Sequence, residues 1–241
     1  MGNLEEKVAV IVGGGSGLGR SVALALAREG ASVVVAARTQ SAIDETVNLV
    51  TSIGGKALAI KTDATLKPQV TKMVDTVVEK FGRIDILVNC QGYNVYGKPT
   101  PETTEEEWQA VVFTNMKSVY LTCQAVIPHM IKQGGGHIFN VSSRAGLWYP
   151  GGGMITLYKG AKLGMIGFSK ALADENRKYN IKVNILAPAP MDTPMRWRDT
   201  PNFDRKKTIS PDTVASLVAF LSSWSDTYME EVIVPASVNY P

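Results

Sequence analysis

Seven short apolar runs rich in valine and isoleucine recur along this chain. The runs are Val8–Val12, Val33–Ala37, Ala57–Ile60, Ile84–Val88, Ile138–Val141, Val183–Leu186 and Val232–Val234. They are apolar along most of their length and show no regular alternation with polar residues. This pattern is typical of strands that are covered on both faces in a parallel sheet.

Stretches with helical spacing of apolar residues separate most of the runs. They cover Leu18–Glu29, Ser41–Ile53, Gln69–Phe81, Glu105–Ile131, Ile155–Lys178 and Pro211–Ser223. Thr104 and Glu107 have the spacing of a capping box at the start of the fourth stretch. The alternation predicts an α/β fold, a doubly wound parallel sheet of about seven strands with helices on both faces. Because no linker or composition shift divides the chain, we predict a single domain over residues 1–241.

The first apolar run leads directly into a glycine-rich turn and then into a helix. Glycines permit a tight turn and let backbone N–H groups approach a pyrophosphate at the positive end of a helix. The spacing G-x-x-x-G-x-G differs from the G-x-G-x-x-G fingerprint, but its place after the first strand predicts a dinucleotide in a Rossmann-type sheet. The residues expected to bind this cofactor are Gly13, Gly15, Ser16, Gly17, Leu18 and Gly19.

The end of the second strand indicates which dinucleotide is expected. An acidic residue there binds the ribose 2′-hydroxyl of NAD, whereas an arginine accommodates the 2′-phosphate of NADP. Arg38 follows this strand and no carboxylate is present, so NADP(H) is favoured, with NAD(H) as the alternative. Asp63 with Ala64, after the third strand, and Asn89, at the end of the fourth, are expected to line the adenine and ribose sides.

Tyr158 and Lys162 lie four residues apart in a stretch that is predicted to be helical. A helix brings such a pair to within roughly 5–6 Å at Cβ, and a nearby ammonium favours the ionised phenol. The pair can therefore act as an acid/base device. The structural alternative is a core tyrosine with a lysine extending past it to solvent.

Further motifs accompany this pair in a fixed order along the chain. They are Asn89-x-x-Gly92, Asn115, Ser143 in an S-x-x-G motif, and Val183-Asn184 followed by Pro188. With the glycine-rich turn and the Tyr158-x-x-x-Lys162 pair, they make the sequence resemble the short-chain dehydrogenase/reductase family from residue 7 to about residue 195. The resemblance is to its 3-oxoacyl-reductase-like branch, and it implies that Gly92, Tyr158, Lys162 and Pro188 also contact the cofactor.

The resemblance implies a reaction and a role for each residue. Tyr158 would exchange a proton with the substrate oxygen, and Ser143 would hydrogen-bond that oxygen. Lys162 would hold the nicotinamide ribose and lower the phenol pKa, while Asn115 would support a water that reprotonates Lys162. The expected activity is hydride transfer between NADP(H) and a carbonyl or alcohol. A sugar or steroid-type dehydrogenase using NAD(H) and a non-catalytic dinucleotide-binding regulatory protein are the alternatives.

The sequence departs from the family pattern at several places. Val12 replaces a threonine, Cys90-Gln91 interrupts N-N-A-G, Pro188-Ala189 replaces Pro-Gly, and Val234-Pro235-Ala236 replaces D-G-G. A homo-oligomer, dimer or tetramer, is still expected, although the last change affects a segment used in subunit packing. Three glycines, 151–153, suggest an altered and mobile wall of the substrate pocket.

The candidate substrate residues are mostly aromatic and follow strands or precede the tyrosine. They are Tyr93, Trp148, Tyr149, Met191 and Trp197, with Asn94 and Tyr96 beside the first. The segment Met191–Ser210 is expected to be a loop that closes over the substrate. The aromatic residues favour a moderately apolar carbonyl compound, while Arg196 and Arg198 also allow an acidic one, acyl-carrier thioesters included.

Composition excludes several other classes of protein. A net charge of +3 predicts no nucleic-acid partner. Cys90 and Cys123 form no C-x-x-C or Cys/His cluster, so neither a disulfide framework nor a metal site is predicted. His129 and His137 match no catalytic position. Without an apolar stretch of about 18 residues or a signal-peptide pattern, we expect a cytoplasmic protein with no membrane partner.

Overall fold

The seven apolar runs form one parallel sheet in the computed structural model, which describes residues 4–147, 153–224 and 229–236. The strands are β1 Val8–Val12, β2 Ser32–Ala37, β3 Lys56–Lys61, β4 Ile86–Asn89, β5 Gly136–Val141, β6 Ile181–Pro188 and β7 Glu231–Val234. Their spatial order is β3-β2-β1-β4-β5-β6-β7, and every neighbouring pair is parallel. The predicted α/β class and doubly wound sheet are confirmed.

Helices cover both faces of this sheet. They are α1 Gly17–Arg28, α2 Gln40–Ser52, α3 Lys67–Phe81, α4 Glu105–Val112, α5 Ser118–Gln133, α6 Thr156–Asn176, α7 Pro194–Asp199 and α8 Pro211–Ser222. One hydrophobic core joins the sheet to α1, α2 and α8, and the other joins it to α3, α5 and α6. Successive residues of β1 alternate between the two cores: Ala9 and Ile11 enter the first, and Val8, Val10 and Val12 the second. Both faces of the strand are therefore apolar, as the sequence pattern requires.

Two elements differ from the predicted helices. The stretch predicted as one helix is α4 and α5, joined by a π-helical turn at Phe113–Lys117. The segment Met191–Ser210, predicted as a loop, contains α7. This helix begins with Pro194 in its first turn, and the Thr193 side chain accepts a hydrogen bond from the Arg196 N–H. The predicted capping box at Thr104 is present.

The strand order places a crevice beside β1 and β4. From β1 the chain builds the sheet outwards in one direction through β2 and β3, then returns to add β4 on the other side. At such a switch point the connections leave in opposite directions, which opens a ligand crevice outside the carboxyl ends of the two strands. The glycine-rich turn follows β1, and Cys90 to Gly92 follow β4, so both segments border this crevice.

Within the described ranges, no helix is both long and apolar enough to cross a membrane. The same part of the chain contains no cluster of three or more residues that could ligate a metal ion.

Candidate active site

The glycine-rich turn is shaped by contacts that only glycine permits. Gly13 and Gly14 donate backbone hydrogen bonds of 2.8 and 3.2 Å to the Ala36 carbonyl. Gly13 and Gly17 have positive φ angles of 80° and 51°. A Cβ on Gly19 would collide with the carbonyl oxygen of Gly13 and lie 2.8 Å from the Gly14 Cα. The turn thus brings α1 against β1 with bare backbone lining the crevice.

A cavity of about 320 Å³, here called the switch-point cavity, opens beside this turn. Its bare glycine cradle at the start of α1, with Arg38 at the end of β2, fits a dinucleotide in charge and shape. Twelve of the predicted cofactor residues line it: Gly13, Gly15, Ser16, Gly17, Leu18, Gly19, Arg38, Asp63, Ala64, Gly92, Tyr158 and Lys162.

Two predicted cofactor residues lie elsewhere. Asn89 is 1% exposed, donates to Asn140 Oδ1 at 2.9 Å and accepts from the Thr122 hydroxyl at 2.8 Å. Its amide therefore ties β4 to β5 and α5 inside the protein, and it does not line the switch-point cavity. Pro188, at the end of β6, lines a neighbouring cavity. A position at a strand end does not by itself decide which way a side chain points.

Tyr158 and Lys162 lie on one face of α6, as their spacing predicts. The Lys162 Nζ is 5.6 Å from the centre of the Tyr158 ring and donates a 2.8 Å hydrogen bond to the Val141 carbonyl. Burial lowers the pKa of the Lys162 ammonium to about 8. The structure therefore places a readily deprotonated lysine beside the phenol, not a lysine that extends into solvent.

Burial and the neighbouring groups shift the pKa of the Tyr158 phenol in opposite directions. Burial raises the pKa of Tyr158 to about 12, and hydrogen bonding with Ser143 and the charge of Arg196 are what lower it. Lys162 is bonded to the Val141 carbonyl and faces the ring, and its own charged form is disfavoured by burial. The groups that favour the ionised phenol in this structure are thus Ser143 and Arg196.

The two neighbouring serines after β5 have different roles. Ser142 donates a 3.0 Å hydrogen bond to the Lys162 carbonyl and is buried, so it anchors α6. Ser143 accepts a 3.1 Å hydrogen bond from the Ala145 N–H and interacts with the Tyr158 phenol. Gly146 is required here because a Cβ would lie 2.8 Å from the backbone carbon of Lys162. The S-x-x-G motif thus lets a tight turn pack directly on α6.

Asn115 lies in the π-helical turn and is fully buried. Its amide nitrogen donates to the Tyr93 carbonyl at 2.7 Å and to the Val111 carbonyl at 2.8 Å. Its amide oxygen has no hydrogen-bond partner among the described residues. A Cβ on Gly92 would lie 3.5 Å from this oxygen and 3.8 Å from the Lys162 Nζ. The amide oxygen and the ammonium therefore border the same small space, which glycine keeps open.

A second cavity of about 400 Å³, here called the outer cavity, adjoins the first. The residues that line both cavities are Ser142, Tyr158, Met191, Thr193 and Met195. Ser143 lines only the outer cavity and Lys162 only the switch-point cavity. A ligand in either cavity would therefore lie against Tyr158, which can exchange a proton where the two meet.

The predicted substrate residues are only partly at this cavity. Met191 lines it, as do Asn94 and Tyr96. Tyr93 and Trp197 do not: the Tyr93 ring lies 5.4 Å from the Arg198 guanidinium, and the Trp197 Nε1 donates to Asp192 at 2.6 Å. Both aromatic rings are occupied by polar contacts away from the cavity. Trp148, Tyr149, Gly151 and Gly152 lie outside the described residues.

Some lining residues of the outer cavity were not predicted individually. They include Ile155, Lys159, Phe203 and Lys207. Lys159 follows Tyr158 directly at the start of α6, so its position next to the tyrosine was a usable signal. Phe203 and Lys207 belong to the segment Met191–Ser210, which was expected to close over the substrate, but no local pattern indicates which residues of that segment line the cavity.

Comparisons with known proteins identify the family of this chain. The sequence profile of the short chain dehydrogenase family matches residues 7–203. The chain is 35% identical to 3-oxoacyl-[acyl-carrier-protein] reductase of Thermotoga maritima over 96% of both chains. A metagenomic short-chain oxidoreductase in complex with NADP superposes with a TM-score of 0.85 at 29% identity, over 98% of this chain and 100% of that one.

A 7α-hydroxysteroid dehydrogenase complexed with NADH and 7-oxo glycochenodeoxycholic acid superposes with a TM-score of 0.89. It is 28% identical, and the match covers 97% of this chain and 94% of that one. Family match, fold and site residues thus point to the same conclusion. The chain belongs to the short-chain dehydrogenase family, in its 3-oxoacyl-reductase-like branch, and is an oxidoreductase.

Proposed function

We propose that this protein is an NADP(H)-dependent carbonyl reductase or alcohol dehydrogenase in which Tyr158 is the general acid and base. The observation that carries the proposal is the position of Tyr158 in the shared wall of the two cavities, next to Ser143. The cofactor occupies the switch-point cavity and the substrate the outer cavity. A regulatory protein needs the phosphate-binding turn but has no use for an acid at that boundary.

The residues of the chain divide the reaction among them. When bound, the nicotinamide supplies the hydride in reduction and accepts it in oxidation. Ser143 donates a hydrogen bond to the substrate oxygen and stabilises the negative charge that develops there. Tyr158 passes its hydroxyl proton to the same oxygen. One hydride and one proton together convert the carbonyl to the alcohol, and the reverse reaction returns the proton to Tyr158.

Lys162 and Asn115 restore the proton of Tyr158. The unpartnered amide oxygen of Asn115 and the Lys162 ammonium border one small polar space beside Gly92. A buried polar space with several partners suits a water molecule, which can carry a proton from outside to the lysine. Lys162 also holds the ribose of the cofactor, because it lines the switch-point cavity one helical turn from Tyr158.

The lowered pKa of Lys162 leads to a pH prediction. The ammonium is present below its pKa of about 8 and is lost as the pH rises, whereas Tyr158, with a pKa of about 12, stays protonated. We expect kcat/KM for NADPH in carbonyl reduction to fall by about tenfold per pH unit above that value, because this ratio reports the free enzyme. Lys162→Arg keeps the charge and should remove this fall while lowering the rate. A constant kcat/KM through this range would contradict the role of Lys162.

Arg38 supports the choice of cofactor, since it lines the switch-point cavity at the end of β2. We expect Arg38→Ala to weaken NADPH binding by roughly 10- to 100-fold, the range for a lost charge-assisted hydrogen bond, with little effect on NADH. Titrating NADPH and NADH into the protein and following nucleotide fluorescence measures both affinities. Lys61→Ala is the matched control, because it removes a cation at the end of β3 that does not line the cavity.

A steroid-type dehydrogenase using NAD(H) is the second candidate function. The similarity to the 7α-hydroxysteroid dehydrogenase complexed with NADH favours it. The cofactor titration separates the two candidates, because equal affinity for NADPH and NADH in the parent protein would remove the argument from Arg38. The substrate class is tested by following NADPH oxidation with ketones, 3-oxoacyl thioesters, steroids and sugars. No oxidation with any of these would favour a non-catalytic regulatory protein.

A further inference from the structure

The outer cavity carries more positive than negative side chains. Among the described residues, its lining contains four cationic residues, Arg144, Lys159, Arg196 and Lys207, and one acidic residue, Asp199. The Asp199 carboxylate accepts a 2.7 Å hydrogen bond from Arg198, a residue outside the lining, and its side chain is only 10% exposed. It is therefore already paired with Arg198, and among the described residues it forms no ion pair with Arg196.

Arg196 is the cation whose position is best defined. It lies on α7, is half-buried, and donates a 3.1 Å hydrogen bond from Nη1 to the Thr200 hydroxyl. Its guanidinium carbon lies 4.9 Å from the centre of the Phe203 ring. Among the described residues it makes no ion pair. Only one of its five N–H groups donates to a described residue, and a planar guanidinium can bind a carboxylate through two of them at once.

Arg196 is also close to the reacting end of the cavity. Its positive charge lowers the pKa of Tyr158, and both residues line the outer cavity. A substrate that places its carbonyl oxygen at Tyr158 and Ser143 would thus extend past Arg196 within the same cavity. The lining also contains the apolar side chains of Ile155, Met191 and Phe203, which can pack against the carbon chain of such a substrate.

We propose that the outer cavity takes carbonyl substrates that carry a carboxylate, and that Arg196 binds this carboxylate and so determines specificity. The inference rests on the proposed reductase function and names its substrate class. Arg196 has two effects here: it holds the acidic end of the substrate, and it turns the carbonyl towards Tyr158. An uncharged ester of the same oxoacid loses the first effect, because it offers no charge to the guanidinium.

Matched pairs of acid and ester test this proposal. The probes are pyruvate, acetoacetate and 4-oxopentanoate, which differ in the spacing between carbonyl and carboxylate, each with its methyl ester. We expect kcat/KM for the best acid to exceed that of its ester by roughly 10- to 100-fold, the range for a charge-assisted hydrogen bond. Arg196→Gln should abolish this ratio. Lys206→Gln, which removes a charge from the same segment but outside the lining, should leave it intact.

The ratio of kcat/KM for an acid to kcat/KM for its ester distinguishes a role of Arg196 in specificity from a general effect on the rate. If Arg196 only tunes Tyr158 or supports α7, Arg196→Gln lowers the rates with acid and ester equally, and the proposal is overturned. The proposal would also be overturned if the parent protein reduced each ester with the same kcat/KM as its acid.

Calorimetric titration of the same probes into the protein saturated with NADP⁺ measures binding without turnover. Preferential binding of an acid that is lost in Arg196→Gln supports the proposal even when no probe is reduced. The absence of reduction would then count only against the proposed reductase function. Absence of binding by all three acids would overturn the proposal.

Discussion

Replacing Tyr158 with phenylalanine is expected to lower kcat for carbonyl reduction by roughly 10²- to 10⁴-fold, the usual contribution of a general acid. The change removes one hydroxyl and keeps the ring that packs beside Lys162. NADPH binding should therefore be nearly unchanged, because the glycine-rich turn and Arg38 are untouched. Steady-state kinetics with the best ketone, together with an NADPH titration, measure the two effects separately.

Tyr96→Phe is the matched control for this experiment. Tyr96 lines the outer cavity, but its hydroxyl lies against Gly153, where an added Cβ would be 2.8 Å away. Removing that hydroxyl should change kcat only slightly, because it is not placed at the wall shared with the switch-point cavity. Turnover of Tyr158→Phe close to that of the parent protein would exclude Tyr158 as the acid, whatever the effect at Tyr96.

Replacing Gly19 with alanine is expected to weaken NADPH binding by roughly 10- to 100-fold. The added methyl group would collide with the carbonyl oxygen of Gly13 and crowd the Gly14 Cα, and neither backbone atom can move without reshaping the turn. Overpacking of this kind typically costs about 1–3 kcal/mol, and here the cost falls on the glycine-rich turn, where we propose that the cofactor phosphates bind. Nucleotide fluorescence measures the affinity, and thermal unfolding reports the accompanying loss of stability.

Gly167→Ala makes the same substitution where there is room for it. Gly167 is an exposed residue of α6, and an added Cβ would meet no atom within 4 Å. Alanine in a helix interior is favoured over glycine by about 0.8–1.0 kcal/mol, so this variant should unfold at a slightly higher temperature and bind NADPH normally. If Gly19→Ala bound NADPH as tightly as Gly167→Ala, the turn would not be the phosphate site.

The course of the backbone could be predicted well from the sequence because buried parallel strands leave a strong apolar signal. β1 was predicted with its exact ends, and β2, β3 and β5 differ by one or two residues at an end. β3 and β7 lie at the two edges of the sheet and are only partly buried, so the assumption that both faces are covered holds less well there.

The directions of side chains at the site could be predicted less well. Spacing on a helix fixes which residues share a face, so Tyr158 and Lys162 were correctly placed side by side. No such rule applied to Asn89 at the end of β4 or to Trp197 in α7, whose side chains bond to Asn140 and Asp192. The Asn89 contact depends on β5, 51 residues away, whereas the Trp197 contact spans only five residues and depends on how the chain turns between β6 and α7.

The sequence contains a signal from which the short helix α7 could have been predicted. Thr193 followed by Pro194 is a common start for a helix, because the hydroxyl caps the first turn and proline needs no N–H there. The effect of the Arg196 charge on the pKa of Tyr158 could not have been predicted, since it depends on both residues lining the same cavity although 38 positions separate them in the sequence.

The π-helical turn between α4 and α5 holds one residue more than an α turn would. Deleting one residue of Phe113–Lys117 would therefore restore regular winding and leave the two flanking helices in nearly their present relative orientation. What would be lost is the wide turn that lets the Asn115 amide donate to the Val111 and Tyr93 carbonyls. Homologous sequences that lack one residue here should therefore keep the packing of α4 and α5 but not this amide at the active site.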